Sequence, residues 1–563
     1  MLFLFITGFI FLFISTTTGF LLNRLFEKKD DYSSGIFKAV LTGTLFLTVY
    51  LSICSIFVPT NFWLLIPPFI LSAIVFFSGG FLVSLRKMIR RNVAVLVAKE
   101  HALVTFGFVA VLIFFTIVPP YNTDSGGYHF LAILWNEKFS VVPGLANLFP
   151  QYGYNSSFFV LSAAFSFTDI FHQSIYPINA VLTILFFLWL LKKSYACKDF
   201  RRFVIWLMLF IFLRQFPINL ASPSADSLAS ILVFYILFTL SENELKHTGL
   251  KNFCYLFLLA AFAITIKLST APLVLVFLVP FIYQKQNFKK IFIAFVRIMP
   301  LVLLIILPWL LRSIILSGYL IFPFPAIDLF SYDWKVPLSL AVGEKLHISQ
   351  GPRMVDGNWA YVSTLSFFTW FPIWWTELWK DNHFNFLLVN FALISPVLMI
   401  PVCNKNDNRK YGLIAAFSIS YFGIWFWMFG SPDIRFGYHF LVLSIVLPML
   451  VLLKNVRFQF ANLNKVFLAI TVIICLYYCN MAFNFTKPNP ISASLIRPFK
   501  CPEYYKNNDL SSFRYVMLNN NIKLYIHDSL HHSINAPLPS CFPYRTGIVM
   551  RGNNLQDGFK TQP

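Results

Sequence analysis

Carboxylates are scarce in this chain. Asp and Glu number 23 in 563 residues, against 44 Lys and Arg, and charged residues of either sign make up 12%. A soluble globular protein carries roughly twice that fraction, so a water-exposed surface around a conventional core is excluded. The eight cysteines show no zinc-type spacing. A Walker A loop, a dinucleotide-binding glycine fingerprint and an HExxH helix are missing, which argues against an ATP-driven pump. No basic n-region precedes the first apolar run, MLFLFITGFIFLFISTTTGFLL. That run therefore reads as a retained membrane span and not as a cleaved signal peptide. No internal repeat is evident, which argues against an inverted-repeat transporter.

What is abundant is apolar: 58% of residues are hydrophobic, with 68 Phe. Runs of roughly 18–22 apolar residues match a hydrocarbon core of about 30 Å, so the first partner is a lipid bilayer. They fall near 2–22, 37–58, 63–85, 102–119, 174–191, 203–216, 225–240, 253–267, 269–284, 291–316, 384–402, 411–429, 435–453 and 466–483. The formal net charge of +21 would suggest nucleic acid in a soluble protein. Here Lys and Arg cluster in short loops at 86–101, 192–202, 285–290, 403–410 and 454–465, the pattern of cytoplasmic connections, and no nucleic-acid partner is expected. The remaining connections then face outward. Parity makes 155–173 either a re-entrant or interfacial element, or a further span with one of the basic loops on the other side.

The expected fold class is an all-α polytopic membrane protein of about 14 transmembrane helices (roughly 13–15). Its parts are N-terminal spans in 1–119, a first outer loop at 120–154, spans in 155–316, a long outer loop at 317–383, spans in 384–483 and an outer tail at 484–563. The tail alternates polar and apolar residues and reads as a small domain with β or mixed α/β structure. Long ordered loops usually carry function, so the active side is expected outside the cytoplasm.

Candidate chemistry begins at YNTDSGGYH, 121–129, just after Pro119-Pro120. If a short helix runs from Gly127 to Phe139, Asp124, Tyr128 and Trp135 follow helical spacing. Asp124 is then near the helix start, where an anion is favoured. It is either a helix cap or a base for an acceptor hydroxyl. Asp226, in ASPSADS, is either the cap or first-turn acid of the next span or a second carboxylate of the same cavity. Lys267, Arg312 and Arg435 stand at the outer ends of three spans. They either snorkel to the interface or together hold a phosphate head group, for which the guanidinium fork is suited. In the 317–383 loop, Trp370, Trp374, Trp375 and Trp379 form an interfacial aromatic belt or a sugar-stacking surface. Asp333 and Lys335 flank Trp334 as a local pair. Tyr128, His129, Arg353 and His439 complete the cavity candidates. Cys501 and Cys541 are a candidate disulfide in an oxidising compartment.

On these residues rests a resemblance. DSGGYHFLAILW at 124–135 resembles the D-x-x-x-Y-H-x-x-x-x-x-W opening of the multi-spanning C-type (GT-C) glycosyltransferases. VPGLANL, SPSAD, SGYLIFPFPAI…DWKVP, PDIRFGY and the APLPS-C-x-PY…RG…L-x-x-GF tail are similar to one large bacterial multi-spanning family over about 120–563. The GT-C resemblance implies a GT-C-like fold and an acid in the first outer loop as catalytic base, here Asp124. It implies a polyprenyl-phosphate-linked sugar as donor and a glycan or lipid as acceptor. Transfer would take place on the extracytoplasmic face of the bacterial cytoplasmic (inner) membrane. No cofactor is implied with certainty. Relatives with an Asp-Glu pair suggest a divalent metal, but Ser125 stands at the second position here, so no metal ligand is assigned. Three or four spans precede the loop where the superfamily often has one.

The expectation is an inverting glycosyltransferase of the cell envelope. The alternatives are a flippase or transporter of lipid-linked saccharide, and an O-antigen-type polysaccharide polymerase or ligase using Arg312, Arg353 and Arg435.

Overall fold

The computed structural model describes residues 2–25, 35–98, 101–117, 122, 124–171, 174–197, 199–215, 219–243, 245, 249–403, 410–454, 456, 469–474, 476–477, 480, 513–526, 536–541 and 545–562. Each apolar segment expected up to 435–453 is largely helical over its described residues; 466–483 is described only in part.

Among the described residues, eight helices are long and apolar enough to cross a membrane. They are α1 (Leu2–Asn23), α2 (Ile36–Cys54), α3 (Ile178–Tyr195), α4 (Ala225–Glu242), α5 (Phe288–Ser317), α6 (His383–Cys403), α7 (Lys410–Gly430) and α8 (Ile434–Leu452). Phe62–Phe77 and Gly80–Leu96, bent by 84°, make a ninth if they form one span. The protein is thus a multi-pass helical membrane protein.

The number of long spans is below the expected 14 because several apolar segments form short helices. Arg201–Gln215 has 15 residues and Leu250–Ile266 has 17. Leu268–Phe277 winds as a 3-10 helix around Pro272 and continues as α-helix to Tyr283. The 3-10 rise of about 2.0 Å per residue lets this short segment cover about 29 Å, close to the hydrocarbon thickness.

The ends of the bundle differ. At one end, α2 and α5 finish beside the 120–154 loop: Val141 N–H donates to Ser55 O at 2.9 Å, and Gly144 N–H to Ile315 O at 2.8 Å. The Lys193–Glu242 pair (2.5 Å) and the Phe200–Val456 backbone bond mark the other end. Residues 157–171 do not form one span. Ser157–Ala164 and Thr168–Phe171 are separate short helices, broken where Phe167 takes φ 51°. Ser156 Oγ bonds Ile266 O at 2.7 Å, and the Phe171 ring stacks on Phe3 at the start of α1.

Among the described residues the tail carries five strands: β1 (Arg514–Met517), β2 (Lys523–Ile526), β3 (Ser540–Cys541), β4 (Ile548–Met550) and β5 (Phe559–Thr561). β1 pairs antiparallel with β2, β2 parallel with β3, and β4 antiparallel with β5. β5 is strapped onto VPGLANL. Phe559 N–H donates to Pro143 O at 2.9 Å, Thr561 Oγ1 to Asn147 Oδ1 at 2.9 Å, and Gln556 Nε2 to Ser140 Oγ at 2.8 Å. Asn147 Nδ2 also donates to Trp334 O at 2.8 Å, so the first loop, DWKVP and the tail form one layer.

Asp333 and Lys335 do not pair with each other. Residues 332–335 make a turn, closed by Lys335 N–H donating to Tyr332 O at 3.1 Å, and the two side chains find other partners: Asp333 takes a two-pronged bond from Arg551 (2.9 and 3.1 Å), and Lys335 pairs with Asp328. Cys541 is buried in β3, and Cys501 lies outside the described residues.

Candidate functional site

Asp124 introduces the helix of the first loop, but it does not cap it. Asn122 does: its Oδ1 accepts Asp124 N–H at 3.0 Å and its carbonyl accepts Ser125 N–H at 3.0 Å. Asn122 is itself held by Asn219, whose Oδ1 takes its Nδ2 at 2.9 Å. The Asp124 carboxylate is therefore free to face elsewhere. It accepts from Arg435 Nη1 at 2.8 Å.

Arg435 enters through PDIRFGY. Asp433 caps α8, accepting Arg435 N–H at 2.9 Å, and then takes the Arg435 side chain through Nε (3.1 Å) and Nη2 (2.9 Å). Cap and cation two residues apart thus prearrange the guanidinium, leaving Nη1 for Asp124. The acid also offsets the cost of a cation at a helix N-terminus.

The next residue, Phe436, joins a second pair. Lys267 Nζ lies 3.9 Å from the Phe436 ring centroid, and the Arg435 guanidinium 5.5 Å. Lys267 closes the C-terminus of Leu250–Ile266, where a cation is favoured, and pairs with Asp226. Asp226 is a first-turn acid of α4; the cap is Ser224, whose Oγ accepts Asp226 N–H at 3.3 Å. Asn179 fixes this connection by donating to the carbonyls of Ser222 and Ser224, both at 2.8 Å. Two cations therefore face three carboxylates, Asp124, Asp226 and Asp433. Asp124 and Arg435 are about a third exposed, while Asp226 is nearly covered.

Buried groups surround the cluster. Ser125 Oγ is 2.5 Å from Ser222 Oγ and 3.5 Å from His129 Nδ1. Burial pushes the His129 imidazole down to about 4, opposed by the Asp124 and Asp226 carboxylates and aided by Lys267 and Arg435. His129 is thus neutral. Burial, with Asp124 and Asp226, also raises the Tyr128 phenol far above its ordinary value. Tyr128 packs edge-on against Tyr154, which bonds the buried Glu344. Glu344 in turn raises His347, 3.5 Å away. His439 lies on α8 with Nδ1 3.3 Å from Ser230 Oγ, and its Nε2 has no partner among the described residues.

Other candidates stand apart. Arg312 bonds Ser55 Oγ (2.6 Å), Asn136 Oδ1 (2.7 Å) and Asn155 Oδ1 (3.2 Å), so it does not meet Lys267 and Arg435 on the Phe436 ring. Trp135 is not on the Asp124 face either. Ser125–His129 is a π-turn before the α-helix Phe130–Lys138. The extra residue of such a turn rotates the downstream helix by roughly 100° relative to ideal helical spacing. Trp135 packs instead against Phe559 of β5, ring centroids 5.9 Å apart. Arg353 lies over the buried Trp370 ring at 4.5 Å. Trp374 is also buried, so these two rings are core rather than belt; Trp379 is exposed.

Asp433 was the residue to find in sequence: an acid between Pro432 and an apolar run is an N-cap signature. Asn122, Phe436 and Glu344 carry no such signal. Among the described residues, no group of three or more His, Cys, Asp or Glu is placed to hold a metal ion.

A family model described as a domain of unknown function (DUF8201) matches residues 1–442. No curated protein and no solved structure matches. The matched stretch contains Asp124, Asp226, Lys267, Asp433, Arg435 and Phe436, so the whole charged cluster lies within it.

Proposed function

The chain belongs to the DUF8201 family, and from its charged cluster we propose that it is a cell-envelope glycosyltransferase, moving a sugar from a polyprenyl-phosphate-linked donor onto an acceptor hydroxyl. The observation that carries this reading is the Asp124 carboxylate, uncapped, partly exposed and held by Arg435 at 2.8 Å. A lipid-linked donor keeps its tail in the bilayer and presents its sugar at the level of the helix ends, where this cluster stands.

In the proposed reaction the acceptor O–H proton passes to Asp124. The acceptor oxygen bonds to the anomeric carbon from the face opposite the phosphate. The bond from that carbon to the phosphate oxygen breaks, and its electron pair leaves with the polyprenyl phosphate, inverting the centre. The local charges suit this sequence. While Asp124 is ionised, three carboxylates outnumber two cations and repel a phosphate. Once Asp124 takes the proton the count is two against two, and Arg435 Nη1 is released toward the departing phosphate, as charge developing in a transition state requires. His129, neutral and buried, stays out of the proton transfer. The proposed location is the bacterial inner membrane with this end of the bundle extracytoplasmic.

The test is Asp124→Asn, assayed at normal protein level for transfer from a polyprenyl-phosphate sugar and for envelope glycan. A loss of roughly 10²–10⁴-fold is expected for a missing general base; unchanged transfer sinks the reading. Reporter fusions at 125, 350 and 520 are expected outside the cytoplasm.

A further inference from the structure

Arg312 is 4% exposed, yet its partners Ser55, Asn136 and Asn155 are all neutral. No carboxylate pairs with it among the described residues. Arginine stays protonated in proteins, and a buried ion without a counter-charge costs several kcal/mol even after relaxation. Three neutral bonds orient the fork but do not neutralise it.

A cavity adjoins the guanidinium, walled by Arg312, Trp135, Asn136, Ser140, Tyr152 and Asn155. Trp135 is 2% exposed, and its Nε1–H has no partner among the described residues. The side chains that carry an uncompensated cation and an orphaned donor thus line one cavity. Buried donors are normally satisfied, and an oxyanion satisfies both.

We propose that this cavity is a binding site for a phosphate-class oxyanion, recognised by Arg312 and by the Trp135 indole N–H. It is separate from the proposed transfer site. Asn136, which holds Arg312, is twelve residues beyond Asp124 along one helix, roughly 15–18 Å at helical rise. A phosphate here therefore does not sit at the reacting carbon. Access is set by the tail: Gln556 bonds Ser140 on the cavity wall at 2.8 Å, and the Phe559 ring covers Trp135. Phosphate chemistry at this depth has two sources, a lipid head group and a free anion.

Full-length protein in detergent is titrated with inorganic phosphate, following thermal unfolding. In parallel it is exchanged into mixtures of phosphatidic acid and phosphatidylcholine, and bound lipid is measured by native mass spectrometry. Stabilisation by inorganic phosphate identifies a free anion; selective retention of phosphatidic acid identifies a head group; either supports the site. Trp135→Phe keeps an aromatic ring and removes the donor. It is expected to weaken binding about tenfold or more, as loss of a hydrogen bond to a charged group does, read as the ligand-induced shift from the variant's own ligand-free unfolding temperature, which the smaller ring lowers. Arg312→Gln, which removes the cation and leaves a shorter amide donor, is expected to abolish binding. If neither probe binds the wild type, or if Trp135→Phe binds as the wild type does, Arg312 is an interhelical clamp and the proposal falls. Because transfer activity is not the readout, this outcome is independent of Asp124.

Discussion

Arg435 Nη1 stands 2.8 Å from Asp124 Oδ2 across 311 residues of sequence, while the rest of its fork is spent on Asp433. An ammonium has no planar fork to hold two carboxylates this way. Arg435→Lys is therefore expected to keep the protein folded and lower transfer about ten- to hundredfold, through a misoriented Asp124. Arg435→Gln is expected to lower it further. Steady-state transfer rates on purified protein check both; a fully active Arg435→Lys removes orientation of Asp124 from the mechanism. Arg353, stacked away on Trp370, is expected to tolerate Met without loss of transfer.

Lys267 and Asp226 form a mostly covered pair beside Phe436. Removing one partner leaves the other charge stranded, at a cost of about 3–5 kcal/mol for a buried pair. Lys267→Met is expected to lower the unfolding temperature clearly, and the double variant Asp226→Asn/Lys267→Met to recover most of the loss. Thermal unfolding of the four proteins of this cycle gives the coupling. Additive effects would mean that the two residues are energetically independent.

The pH dependence of stability has a defined sign at His129. The folded protein holds this imidazole at about 4, against 6.5 as its ordinary value. Between those values the unfolded chain binds the extra proton. The His129 contribution is therefore fully present above about pH 6.5 and is lost as pH falls toward 4, by about 3 kcal/mol in all. His129→Gln is expected to flatten this limb. Unfolding temperatures measured from pH 4.5 to 7.5 for both proteins test it.

Gly144 takes φ 65°, and a Cβ there would lie 2.1 Å from Phe559 O; Gly558 takes φ 91°, and a Cβ there would lie 2.1 Å from Pro143 O. Gly144→Ala is expected to push β5 off the first loop, costing about 1–3 kcal/mol. Limited proteolysis should then cut within 545–562 far faster than in the wild type. Gly343→Ala, with nothing within 4 Å of its Cβ, is the control and is expected to be neutral or slightly stabilising.

The helices were legible because lipid-facing and core-facing surfaces both demand apolar residues, so runs such as 225–240 and 435–453 announce themselves. Their number was not, since residues 268–277 reach further per residue as a 3-10 helix and 157–171 break at Phe167. Asp124 was found because a carboxylate is rare in this composition. Its partner was found as a charge, but the pairing was not, because nothing local relates positions 311 apart. Trp135 was misplaced by a π-turn, which leaves no trace in composition. Asp333 was matched to its sequence neighbour when its partner was Arg551.

The strap between β5 and VPGLANL has a bearing on biogenesis. Asn147 and Phe559 are separated by 412 residues. At a synthesis rate of roughly 5–20 residues per second, the first loop waits about 20–80 s for its covering strand. During that interval the Pro143 carbonyl and the Asn147 amide must be satisfied by water or by a chaperone. The layer over this end of the bundle is therefore assembled late, and a pause or a cut upstream of residue 559 leaves the early helices inserted beneath an unfinished roof.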